Sequence, residues 1–78
     1  MSKIRKVLSQ LHLGESGTIT DFKDNNLSIV LMEMGCLPGI KITLEGKAPL
    51  GGALAIKVMD YKLGLSMQEA ESVVLNVS

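Results

Sequence analysis

The segment Leu31 to Gly39, Leu-Met-Glu-Met-Gly-Cys-Leu-Pro-Gly, constrains the fold more than any other stretch of this chain. Leu27, Val30, Leu31 and Met34 fall at i, i+3, i+4 and i+7, the spacing that places side chains on one core-facing stripe of a helix. That helix must stop at Gly35. Glycine suits the left-handed position that closes a helix, and Pro38, lacking an N–H, blocks any resumption. Leu37-Pro38-Gly39 then turns the chain into Ile40 to Leu44, where Ile40, Ile42 and Leu44 alternate with Lys41 and Thr43 as in a half-buried strand. The result is a rigid helix-to-strand corner, answered by a loop from Gly46 to Gly52 that contains Ala48-Pro49-Leu50-Gly51.

Alternation continues on both sides of this corner. Gly17 to Lys23 reads as the first strand, and Asp24-Asn25-Asn26 as a turn from which Asn25 or Asn26 caps the helix. Ala53 to Met59 and Tyr61 to Leu65 read as two strands joined by a tight hairpin. Ser66-Met67-Gln68-Glu69 matches a capping box opening about one helical turn, after which Val73 to Val77 alternates as a last strand. The basic start, Lys3, Arg5 and Lys6, reads as a solvated turn. Several short strands with two brief helices describe a mainly β chain, a small barrel of about five to six strands. Leu31, Ile42, Ile56, Leu65 and Val73 are the expected core. Any strand edge left free could support weak self-association.

Composition narrows the function. The chain has 78 residues, enough for one domain spanning 1–78, and its 46% apolar content argues against disorder. Eight basic residues balance eight acidic ones, so no uniform field attracts nucleic acid. A single cysteine makes no internal disulfide and points to an intracellular, cytoplasmic protein. No apolar run reaches the roughly 20 residues that a membrane-spanning helix needs.

Catalytic and cofactor chemistry find no support. His12 and Cys36 stand alone, without the paired spacing of a metal site or the nucleophile context of a catalytic one, so no enzyme, metal ligand or cofactor is expected. Gly46-Lys47 lacks the remainder of a phosphate loop. One Phe, one Tyr and no Trp are too few for a proline-peptide groove or a base-stacking platform. Ile29, Met32 and Cys36 form a second apolar stripe beside the core stripe, and part of it, with Leu37 or Leu50 in the loops, is a candidate partner surface. Met32, Leu37, Leu50 and Tyr61 are the residues chosen for that role.

Taken together, Leu31 to Gly39, Ala48 to Gly51, the alternating Leu54 to Val58 and Glu69-Ala70 before a strand resemble the FeoA family, over about Leu8 to Val77. Gly17, Leu31, Gly35, Pro38, Gly39, Pro49 and Gly51 carry the structural motif. The resemblance implies an SH3-like barrel in the cytoplasm that works with FeoB, the membrane ferrous-iron transporter whose cytosolic part is a G-protein domain. It implies no agreed catalytic or iron-binding residue. Val30, Gly52-Ala53 and Ser66 depart from the family pattern by removing charge or rigidity, as a divergent second copy would. A metal-binding sensor or iron chaperone using His12 and Cys36 is the alternative reading, and a peptide-binding SH3-like module the next.

Overall fold

The computed structural model describes residues 4–77. In chain order the elements are β1 (Ile4–Val7), a 3-10 turn (Leu8–Gln10), β2 (Ser16–Phe22), α1 (Asn25–Glu33), β3 (Lys41–Lys47), β4 (Ala53–Val58), β5 (Tyr61–Ser66), α2 (Met67–Ser72) and β6 (Val73–Val77). The six strands form one antiparallel sheet in the order β1-β6-β2-β3-β4-β5. Bulges between Ile19 and Asp21 and between Leu44 and Gly46 break the register. Such irregularities bend a strand and increase its twist, which helps a small sheet curl around its core. The barrel is open, with β1 and β5 as its two edges.

Period-two side chains fill the interior. Ile42 and Leu44 from β3, Leu54, Ile56 and Val58 from β4, Leu65 from β5 and Val73 and Leu75 from β6 are buried together with Leu8, Leu11, Ile19, Leu31 and Cys36. The five expected core residues all lie in this cluster. Gly17 belongs to the same packing, because a Cβ there would stand 3.1 Å from Leu75 Cβ and 3.2 Å from the Asn76 carbonyl oxygen. At that position β2 and β6 leave no room for a side chain.

Three readings need correction. The basic N-terminus is a strand, since Arg5 faces Asn76 and Lys6 faces Leu75 in the β1–β6 register; Lys3 lies outside the described residues. The Lys6 ammonium bonds Glu15 at 3.2 Å, so its charge is neutralised locally. The cap of α1 is neither asparagine: the Asp24 carboxylate accepts from the N–H groups of Asn26 and Leu27 at 2.8 and 2.9 Å. Val30 is exposed, leaving Leu31 as the one fully buried residue of α1, with Leu27 and Met34 half-buried. The capping box at α2 is formed as expected, with Glu69 N–H donating to Ser66 Oγ and Ser66 N–H to Glu69 Oε1.

Candidate docking surface

The corner after α1 is built from backbone hydrogen bonds. Cys36 N–H donates to the Leu31 carbonyl at 2.9 Å and Gly35 N–H to that of Met32 at 3.1 Å, the paired closure of a Schellman motif. Gly35 holds φ +98°, which a side chain would resist. A second constraint acts at the same place. Tyr61 Oη, from the start of β5, donates to the Met34 carbonyl at 2.7 Å, and a Cβ on Gly35 would collide with that hydroxyl. Tyrosine and glycine together fix the end of α1 against the β4–β5 hairpin.

The Leu-Pro-Gly turn follows directly. Ile40 N–H donates to the Leu37 carbonyl at 3.1 Å, with Pro38 and Gly39 at the central positions and Gly39 at φ +92°. That is a type II turn, with proline and glycine where its dihedral angles require them. Gly39 N–H bonds the Ile19 carbonyl at 2.7 Å, fastening the corner to β2. Leu37 is thereby held outward on a rigid turn.

Several exposed apolar side chains lie on the elements that meet at this corner. Met32 and Leu37 are exposed, and α1 adds Ile29, 59% exposed, and Val30. The β4–β5 hairpin adds Met59, 68% exposed, beside Tyr61. Met59 stands at φ +56° in the two-residue turn Met59–Asp60, the one non-glycine residue with positive φ among the described residues. Sequence reading missed it, because Met-Asp has no turn signature and Met59 continues the alternation of β4.

Leu50 does not join this surface. It is 98% exposed at the apex of the Ala48–Gly51 turn, which closes through Gly51 N–H to the Ala48 carbonyl at 2.9 Å. That turn caps the far end of β3 and β4, whereas the β4–β5 hairpin and the Leu-Pro-Gly turn lie near the start of β3. At about 3.3 Å per residue, the length of β3 puts roughly 20 Å between the two ends. The structure therefore places Met32, Leu37 and Tyr61 at one end and Leu50 at the other.

The candidate ligands lie in different surroundings. His12 is exposed, with Nδ1 3.4 Å from Glu15 Oε1, while Cys36 is buried in the core. Burial pushes the Cys36 thiol up, and the negative charge of Glu69 adds to the effect, so it stays protonated where a metal ligand or nucleophile would need the thiolate. Among the described residues no three His, Cys, Asp or Glu side chains converge on a point that could hold a metal ion. Nor is any helix among them long and apolar enough to cross a membrane.

The fold has counterparts among known proteins. The family model described as FeoA domain matches residues 6–77. A FeoA-like protein from Clostridium acetobutylicum is 27% identical and superposes with a TM-score of 0.87, over 99% of this chain and 90% of the other. FeoA from Stenotrophomonas maltophilia, an SH3 domain protein solved with zinc, is 28% identical with a TM-score of 0.76, over 90% and 88% of the two chains. A manganese-dependent transcriptional repressor shares the fold alone, at 11% identity and a TM-score of 0.87, over 100% of this chain and 39% of the repressor. No curated protein matches the chain by sequence.

Proposed function

We propose, from the premise that the chain belongs to the FeoA family, that it acts in ferrous iron uptake as an accessory protein docking on the cytosolic part of a FeoB-type transporter. The observation that carries the reading is the apolar end formed by Ile29, Met32, Leu37 and Met59, held rigid by the Schellman closure and by the Tyr61–Met34 bond. A preorganised apolar surface lowers the ordering cost of association, and adaptable Met side chains suit a protein contact. Binding there can bias the transporter's assembly or its nucleotide cycle without any bond-making by this chain. Ferrous iron is the transporter's cargo, and no residue here is assigned to hold it.

Iron-limited cells test the reading. Deleting the gene should lower ferrous iron accumulation, and the wild-type chain should restore it. A Met32→Glu, Leu37→Glu variant that is expressed and folded should restore little. Full rescue by that variant would refute a role for this surface.

A further inference from the structure

The free edge of β5 carries two unmet demands. The two-residue turn pairs Val58 with Tyr61, so Tyr61, Leu63 and Leu65 exchange ladder bonds with β4. The N–H and C=O groups of Lys62 and Gly64 consequently point away from β4, and no further strand follows β5 in the sheet. Ser66 N–H is taken by Glu69, which ends the open stretch. A Cβ built on Gly64 meets nothing within 4 Å, so the outer face beside this edge is also uncovered at its centre.

Charge is unbalanced on the outer face that runs from β3 through β4 to this edge. Lys57 lies directly opposite Lys62, and Lys41 is diagonal to Lys57 through the Thr43–Lys57 pair. Like charges facing each other across strands are unfavourable. Glu45 meets Lys62 at 3.5 Å, whereas Lys41 and Lys57 make no ion pair among the described residues. The overall charge of zero conceals this cluster, because neither α1 nor α2 contains a lysine or arginine.

We propose that the β5 edge takes up an extended acidic segment of a partner protein as a seventh strand. Backbone groups of the segment would pair with Lys62 and Gly64, and alternate carboxylates would lie on the outer face beside Lys62, toward which the long side chain of Lys57 on β4 can extend. A second copy is the poorer occupant. Joining β5 to itself would gather Lys57 and Lys62 of both chains along one seam. Lys62 and Gly64, whose backbone groups the segment would pair with, are not among the residues of the apolar end of α1, and this proposal stands independently of the docking proposed there.

A fluorescent peptide, acetyl-Glu-Val-Glu-Val-Glu-Val-amide, titrated into the full chain provides the test. Saturable binding that weakens with salt is expected, together with no binding of the peptide carrying Lys for Glu. Gly64→Pro removes an outward N–H without touching the β4 ladder and should weaken binding by about tenfold or more. Lys57→Glu should weaken it comparably while leaving the backbone edge intact. Equal binding of the lysine peptide, no saturable binding, or binding unchanged in both variants would overturn the proposal. A wild-type dimer that Gly64→Pro splits would overturn it in favour of a second copy.

Discussion

The hydroxyl of Tyr61 occupies the space that a side chain on Gly35 would enter, and it spends its hydrogen bond on the carbonyl of Met34 at 2.7 Å. Two residues far apart in sequence thus act on one helix end. Gly35→Ala should be destabilising by roughly 1–2 kcal/mol for the left-handed backbone alone, and by more for displacing the tyrosine. Tyr61→Phe should cost about 1 kcal/mol for the lost hydrogen bond. Since the phenylalanine removes the colliding oxygen, the double variant should lose less than the sum of the single losses. Urea unfolding of the four proteins checks this, and strict additivity would contradict the packing described.

Met59 is held at φ +56° without being glycine. Met59→Gly relieves that backbone and should raise the stability by about 0.5–1 kcal/mol after the greater chain entropy of glycine is counted, seen as a higher unfolding midpoint. A lower midpoint would show that the exposed thioether stabilises the hairpin.

Asp24 alone satisfies two orphan N–H groups of α1. Asp24→Ala should cost about 1 kcal/mol. Asn25→Ala and Asn26→Ala should cost much less, since neither asparagine caps the helix. Thermal unfolding of the three variants distinguishes them.

The fold was largely legible because its signals are local and agree with one another. Gly35, Pro38 and the alternation through Ile42, Ile56 and Val73 each dictate backbone conformation by themselves. β1 was not legible, since Ile4-Arg5-Lys6-Val7 lacks a two-residue period and becomes a strand only by pairing with β6, some 70 positions later. Asp24 and the two asparagines after it are all competent caps, and sequence alone does not rank them. Val30 matches a core spacing, yet a nine-residue helix lying on a small sheet buries too narrow a stripe to include it. Of the four residues chosen as a candidate surface, Met32, Leu37 and Tyr61 share one end of the molecule, whereas Leu50 belongs to a turn whose distance from them follows from strand pairing. The bond from Tyr61 to Met34 has no sequence signature at all.

Glu15 gives the account a pH dependence. The His12 N–H, and behind it the Lys6 ammonium, hold the Glu15 carboxyl below its ordinary value, against an opposing push from burial. A carboxyl lowered in the native state contributes stability above its unfolded value of about 4.3, and the contribution is lost as pH falls through the lowered native value. Glu15→Gln should therefore reduce stability at neutral pH and flatten the acid limb of a midpoint-against-pH curve. An unchanged acid limb would remove Glu15 from the account.

The central claim is that the apolar end at the close of α1 is the docking surface, and a binding titration tests it most directly. Labelled wild-type chain would be titrated with a full-length FeoB-type transporter in detergent, alongside Met32→Glu, Leu37→Glu and, as a control from the opposite end, Leu50→Glu. The account predicts saturable binding that Met32→Glu and Leu37→Glu each weaken by about tenfold or more, with Leu50→Glu indistinguishable from wild type. Loss of binding in Leu50→Glu alone, or no binding of the wild-type chain, would contradict it.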